Sequence, residues 1–391
     1  MMRIPYSRQS IDESDIEAVS HVLRSDWLTQ GPTVKNFEEA IAAYCQVDHA
    51  VAFSNASTAL HAACMGLRLG KDDWFATSCV TFAASASCGL HCGASVRFCD
   101  VDPDTGLMDL KALDELCKKQ GPPKIVIPVH LAGACPDMHA LKGLSEQYGF
   151  SILEDASHAL GAQYRSEPVG NCRYSTAAVF SLHPVKMITS GEGGLLVTNN
   201  ADLATYARKF REHGISRDPA EWKNDTTHMG PWYYEVQELG YNYRLSDIHA
   251  ALGLNQLKRL DSFVDKRREI HQYYTAKLDP SLWSLVSEHQ DCKSSWHLCV
   301  AQLPPNTSEE TYKSIFEALR AQGLYVNQHY IPLNRHPIFK PFSDNSSFPG
   351  ADSWARRAIS IPCHPGLTKE ELHYSVDCLN STARKSLDTR I

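Results

Sequence analysis

The chain has 391 residues, 43% of them apolar, and 38 Lys and Arg against 45 Asp and Glu leave a formal net charge of -7. A chain of this length is too long for one small core and is expected to hold a large and a smaller domain or two comparable ones. The charges are mixed, with no basic block or stripe, which argues against nucleic acid or an anionic membrane surface as a partner. The opening MMRIPYSRQSIDESD has no apolar leader pattern, and no run reaches membrane-spanning length, so the expectation is a cytoplasmic protein.

From about residue 48 to 200, short apolar runs alternate with helical patterns. HAVAFS (49–54) reads as a strand, STALHAACMGLRLG (57–70) as a helix ending at Gly70, SVRFCDVD (95–102) as a strand and LKALDELCKKQG (110–121) as a glycine-closed helix. KIVIPVHLAG (124–133) is a continuous apolar run of the kind found in buried parallel strands. MHALKGLSEQYG (138–149) follows as a helix, then FSILEDASHA (150–159), STAAVFSLH (175–183) and GLLVTNN (194–200) as strands. This alternation predicts an α/β fold with a mostly parallel sheet covered by helices. Residues 247–278 carry apolar positions at helical spacing over many turns and read as one long helix. Beyond it, SWHLCVAQLP, a helix at 308–323, LYVNQHYIP and a helix at 368–385 suggest a small α+β domain. The division is therefore a large domain over residues 1–250 and a linking helix with a small C-terminal α+β domain over residues 251–391, with a frayed tail after Lys385.

Thirteen cysteines are scattered and never spaced C-x-x-C, which predicts reduced thiols and no metal centre. The densest group, SCGLHC, places Cys88, His91 and Cys92 close together; with Cys79 and Cys99 these cysteines read as small buried residues of an alanine-rich segment.

The chemistry concentrates in VFSLHPVKMITSGEGGLLVTNN (179–200), where a lone lysine, Lys186, leaves an apolar run just before a glycine-rich turn. A lysine is a useful nucleophile when its pKa is lowered or a carbonyl stands ready to trap it. Asp155 closes a strand, with His158 three residues on. A carboxylate there points into the crevice where α/β sheets bind ligands, and could hold a pyridinium nitrogen protonated. SNASTALHAA is a small-residue turn entering a helix, so Ser57 and Thr58 would offer backbone N–H groups to a phosphate. Each feature alone has a bland reading as a surface amine, a helix cap or a helix start; together they suggest pyridoxal 5'-phosphate (PLP).

The segments EDASHALGAQY, VFSLHPVKMITSGEGGLLVTN, HGISR and LGYNYRLSDIHAALGLNQLKRLD resemble, in order and over nearly the whole chain, the DegT-type sugar-nucleotide aminotransferases. That resemblance implies the fold-type-I PLP architecture, with a seven-stranded-type sheet in the large domain, and a homodimer with shared active sites. The opening segment with GPWYYEVQELGYNYRLSD, SSWHLCV, VNQHYIP and AISIPCHPGLT is similar to a subgroup that aminates the UDP-4-keto sugar UDP-2-acetamido-2,6-dideoxy-β-L-arabino-hexos-4-ulose, with L-glutamate as the amino donor, toward pseudaminic acid. The resemblance implies Lys186 and Asp155 as catalytic residues, Lys186 carrying the cofactor covalently and Asp155 pairing with its ring nitrogen. His158 would lie beside the ring hydroxyl and Phe82 would stack on the ring. Ser57, Thr58 and Ser181 would hold the phosphate from one subunit, and Asn242 would reach it from the other. Tyr6, Asp26, Trp27, Leu28, Thr29, Gln328, His329 and Tyr330 match segments that line the sugar-nucleotide site. Cys79 departs from the proline that many relatives carry before the stacking aromatic. Relatives that dehydrate sugars place histidine at the lysine position, so Lys186 argues for transamination. The rival readings are an aminotransferase for another UDP- or dTDP-4-keto sugar, and a PLP-binding sensor that turns nothing over.

Overall fold

The computed structural model describes residues 2–343 and 347–388. Its centre is a seven-stranded sheet. Across it the strands lie in the order His49–Phe53, Gly194–Thr198, Ala177–Ser181, Ser151–Asp155, Ile125–Ile127, Trp74–Ser78 and Ser95–Cys99. Only Gly194–Thr198 runs antiparallel to its neighbours, so the sheet is mostly parallel. The strands are almost wholly buried, which is why their sequences are continuous apolar runs rather than alternating ones.

Two apolar clusters organise the packing. The larger surrounds the sheet and extends to Leu298, Val300, Phe339 and Trp354. The smaller gathers Ile270, Tyr274, Ile315, Leu319, Ile359 and Leu379 around a three-stranded antiparallel sheet of Ser284–Leu285, Cys299–Gln302 and Ala358–Ile361. Ile4 joins this second cluster because Ile4–Pro5 pairs in parallel with Leu324–Tyr325. Among the described residues no helix is long and apolar enough to cross a membrane.

Several expected elements are corrected. The helix predicted to run through 247–278 is two, Asp247–Leu257 and Leu260–Lys277, broken at Arg259. The Arg259 guanidinium is drawn out to the carboxylates of Asp12 and Asp15 at the start of helix Glu13–Leu23. Apolar spacing cannot register such a demand. The helix expected to reach Gly70 ends at Gly66, where a left-handed turn at Arg68 (φ 60°) sends Leu69 into the core. The expected strand over 324–332 is ordered as a strand only at Leu324–Tyr325. The strand Trp74–Ser78, rich in Ala, Thr and Ser, was not anticipated, although it lies inside the sheet. The last helix, Lys369–Asp388, continues past the expected fraying point at Lys385.

One buried carboxylate ties the N-terminal helices to the rest. Helix Pro32–Cys45 is capped by Gly31, which has no side chain to accept its first N–H groups. Asp247, itself the first residue of helix Asp247–Leu257, supplies the acceptor: Gly31 N–H and Thr33 N–H donate to it at 2.8 Å each. The carboxylate thus answers two positive helix ends at once. Asp247→Ala is expected to weaken the fold by about 2–3 kcal/mol, the cost of stranding buried donors. For a chain of this length that is a drop of roughly 3 °C in the thermal midpoint. Asp247→Asn should lose less. An unchanged midpoint in scanning calorimetry of Asp247→Ala would refute the capping role.

Candidate active site

The carboxyl ends of the parallel strands open into a cavity of about 690 Å³, within the usual range for small-ligand sites. Three elements meet there.

The first is the loop between strands Ala177–Ser181 and Gly194–Thr198. Leu182 holds its base, donating its N–H to Gly193 O at 2.9 Å and accepting from Ser190 N–H at 3.0 Å and Thr189 Oγ1 at 3.1 Å. Lys186 lies in a tight turn within this loop, its N–H donating to His183 O at 2.9 Å. The lysine therefore stands five positions beyond the strand's last residue, not at the strand end as expected. Burial lowers its amine from the usual lysine value to about 8, with Asp155 acting in the opposite direction.

The second element is the helix Ala56–Gly66. Its N-cap, Asn55, accepts from Thr58 N–H at 3.0 Å, and Thr58 Oγ1 donates back to Asn55 O at 2.7 Å. Thr58 is thereby committed to the cap and does not line the cavity, so the N–H groups at the cavity belong to Ala56 and Ser57. Gly194 allows this helix to sit so close. A Cβ on Gly194 would fall 2.3 Å from Asn55 C and 2.4 Å from Ala56 N, so any side chain there would push the helix end away.

The third element is Asp155, buried at the end of strand Ser151–Asp155. It accepts from Ser85 Oγ at 2.5 Å and from Ser157 N–H at 3.2 Å, and Ser85 Oγ is in turn 2.7 Å from Thr81 Oγ1. Beside it, His158 is enclosed and held neutral, well below the usual histidine range, by burial and then by the positive charge of Lys186. Its Nε2 lies 3.1 Å from Tyr330 OH, its ring packs 4.4 Å from the His297 ring, and Nδ1 has no hydrogen-bond partner among the described residues. His329 is pushed down to about 3 by burial and then by Lys186, and bonds Ser360 Oγ at 2.8 Å. The cavity lining thus combines the Lys186 amine with the carboxylates of Asp155 and Glu192 and with the neutral imidazoles of His158 and His329.

Of the residues expected from sequence, Ser57, Phe82, Asp155, His158, Ser181, Lys186, Tyr6, Gln328, His329 and Tyr330 line this cavity. Phe82 presents its ring openly at 59% exposure, 6.0 Å from the Tyr330 ring. Asp26, Trp27, Leu28, Thr29 and Asn242 do not line it; they lie exposed on the surface of the chain. Cys79, in place of a proline, keeps an N–H that donates to Cys99 O at 2.8 Å, and its Sγ is 3.1 Å from Asn334 Oδ1, so hydrogen bonds hold the loop before Phe82. Residues not anticipated include Asn55, Ser85, Glu192, Asn327 and His297. Asn55 was detectable as the cap preceding Thr58; Ser85 and His297 carry no local signal.

The sequence and fold have clear relatives. The model of the DegT/DnrJ/EryC1/StrS aminotransferase family matches residues 9–380. The UDP-4-amino-4,6-dideoxy-N-acetyl-beta-L-altrosamine transaminase of Campylobacter jejuni subsp. jejuni serotype O:23/36 (strain 81-176) is 35% identical over 383 residues, covering 98% of each chain. The spore coat polysaccharide biosynthesis protein SpsC of Bacillus subtilis (strain 168) is 33% identical over 386 residues, covering 97% of each. The solved structure of Helicobacter pylori PseC, an aminotransferase involved in the biosynthesis of pseudoaminic acid, superposes with a TM-score of 0.88 at 30% identity, covering 98% of this chain and 100% of that one. With the family model spanning nearly its whole length, this chain belongs to the DegT/DnrJ/EryC1/StrS aminotransferase family and is a sugar aminotransferase.

Proposed function

We propose that the protein uses PLP to transfer an amino group from glutamate to C4 of UDP-2-acetamido-2,6-dideoxy-β-L-arabino-hexos-4-ulose, giving UDP-4-amino-4,6-dideoxy-N-acetyl-β-L-altrosamine. The observation that carries the PLP reading is the convergence of an amine lowered to about 8, a buried carboxylate and an open helix N-terminus on one cavity. The Campylobacter relative and PseC support the choice of sugar.

The residues present fit PLP. The N–H groups of Ala56 and Ser57, with Ser57 and Ser181 hydroxyls nearby, would hold its phosphate at the positive end of the helix. The close approach that Gly194 permits keeps that end in place. Asp155, oriented by Ser85 and Ser157, would keep a ring nitrogen protonated, and Phe82 would cover the ring face. When bound, PLP supplies an electron sink for the pair released as a proton leaves the carbon bearing the amine. Lys186 Nζ, poised near neutrality, would take that proton and return it. His158, neutral and aligned by Tyr330 OH, offers a ring nitrogen without adding a charge that would compete with Lys186.

Lys186 is the only Lys or Arg among the described residues lining the cavity. A sugar diphosphate, a cofactor phosphate and a dicarboxylic donor need more positive charge or more donors than that. The exposed arm carrying Trp232 (79% exposed) and Leu239 (90%) fits a second copy of the chain. We therefore place the protein in a homodimer, with Asn242 reaching the phosphate of the neighbouring subunit and the Asp26–Thr29 stretch completing the sugar site. Thirteen free thiols fit a cytoplasmic location. The division into domains at about residue 250, with Leu260–Lys277 linking them, accompanies this reading. The similarity to SpsC favours a second reading, the same chemistry on another nucleotide-linked 4-keto sugar.

Purified protein with PLP should lose its visible cofactor band on adding glutamate and recover it on adding the L-arabino 4-keto sugar. Recovery only with a different keto-sugar would keep the aminotransferase and discard this substrate. Lys186→Ala should lose turnover by at least about a thousand-fold with its circular dichroism unchanged; retained transamination would sink the mechanism. In the apoenzyme the Lys186 amine is protonated below its lowered value and free above it, so PLP capture should rise with pH around a midpoint near 8. A midpoint near 10 would show an amine that is not desolvated. Asn242→Ala should weaken PLP retention, measured by equilibrium dialysis; unchanged affinity would argue that this residue does not cross to a neighbouring subunit.

A further inference from the structure

The cysteine-rich segment that the cofactor chemistry leaves unused has a definite arrangement. Helices Ala56–Gly66 and Ala84–His91 pack against each other, and their facing sides bring three thiols together. Cys64 and Cys88 are buried, with their sulfurs 3.7 Å apart. Cys92, at the C-cap of the second helix, is partly exposed and donates from Sγ to Cys88 O at 3.3 Å. Two imidazoles complete the group: the His61 and His91 rings lie 5.8 Å apart, and His61 Nδ1 is 3.3 Å from Tyr243 OH. Cys92 is partly exposed, its two neighbours are buried, and none of the three is in a disulfide.

We propose that Cys64 and Cys92 form a reversible dithiol–disulfide site, in which Cys92 is the thiol that meets a hydroperoxide and Cys64 the one that closes the disulfide.

The Cys92 environment favours the thiolate that such chemistry requires. The neighbouring Cys64 thiol, then the His61 and His91 rings, lower Cys92 to about 6, while Cys64 is raised by hydrogen bonding to Cys88 and Cys92 and by burial. The C-terminal helix end opposes an anion at Cys92, while the Cys64 thiol and the two imidazoles act in its favour. With hydrogen peroxide as oxidant, the Cys92 thiolate attacks one peroxide oxygen, and the O–O bond breaks. Cys92 becomes a sulfenic acid, and the departing hydroxide takes a proton and leaves as water. Cys64 then attacks the Cys92 sulfur, the S–O bond breaks, and the oxygen leaves as a second water with the Cys64 proton. Two thiols and one peroxide give one disulfide and two waters.

The site is joined to the active site by short connections. Ser57, in the first turn of helix Ala56–Gly66, lines the cavity. Cys88 Sγ donates to Ser85 O at 3.4 Å, and Ser85 holds Asp155 through its hydroxyl. A disulfide between these helices must draw their sulfurs to about 2.05 Å. That motion pulls on both the helix with the open N-terminus and the serine that orients the carboxylate. Oxidation is therefore expected to loosen cofactor retention and slow turnover.

The test treats the full-length, PLP-loaded protein with hydrogen peroxide and maps its cysteines by mass spectrometry of the digest, alongside activity and bound-cofactor absorbance. The expected result is a cross-linked pair of peptides containing Cys64 and Cys92, two mass units lighter than the sum of the reduced pair. A dithiol should remove the link and restore activity and absorbance together. Cys92→Ser should match the untreated wild-type rate and resist peroxide, and Cys64→Ala should carry sulfinic acid at Cys92 in place of the link. A Cys92 that stays reduced while activity is lost, or a link confined to Cys135 and Cys292 (Sγ atoms 3.3 Å apart), would overturn the proposal. So would a Cys92→Ser protein as sensitive as the wild type. The mapping reads the thiols directly and does not depend on which sugar is the substrate.

Discussion

Parallel strands impose the constraint on which the rest of this structure depends. Because strands Ser151–Asp155 and Ala177–Ser181 run in the same direction side by side, their carboxyl ends emerge together, with Asp155 in register with Val179. Every loop leaving that edge meets the others, and no loop has to travel far to take part in one site. The single antiparallel strand, Gly194–Thr198, returns the chain to the sheet directly beside Ala177–Ser181, after the twelve residues 182–193. Lys186 thus sits on a loop whose base is closed by hydrogen bonds at Leu182.

Enclosure supplies the chemistry. The Lys186 amine experiences two opposed effects, loss of water, which favours the neutral form, and the Asp155 carboxylate, which favours the charged one. Burial dominates, leaving the amine near 8, close enough to neutrality to exchange protons in both directions. The same enclosure discharges the neighbouring imidazoles of His158, His297 and His329, each of which is also repelled by Lys186. Protonating any of them would compete with the lysine for Asp155, so the wall of neutral rings preserves the pairing on which the site relies.

Close backbone approach is the third ingredient. Gly194 has no side chain because the Asn55–Ala56 peptide occupies that space, and Asn55 consumes only one of the helix's first N–H groups in capping it. The helix end stays ordered while Ala56 and Ser57 retain donors for an anion. Nearby, Ser85 connects Asp155 to the helix that carries Cys88, so the acidic partner and the thiol group share one support.

Much of this was legible along the chain. Continuous apolar runs marked buried strands because parallel strands are covered on both faces. Asp155 and Lys186 stood out because a charged residue leaving an apolar run needs a reason to be there. The small-residue entry to helix Ala56–Gly66 stood out as a helix start with unpaired N–H groups. What local pattern could not register is any contact made at long range in sequence. The break at Arg259 answers carboxylates some 245 residues earlier; Thr58 is withdrawn from the cavity by Asn55; His297 packs on His158 from far along the chain. Trp74–Ser78 escaped notice because Ala, Thr and Ser say little about burial until neighbouring strands supply it. The residue types by themselves determined which chemistry the chain can perform, since an amine, a carboxylate and free backbone donors are properties of the sequence. Only the tertiary structure decided that they meet in one enclosed place, because distance and desolvation, the two quantities that set the Lys186 amine near 8, do not exist until the chain is folded.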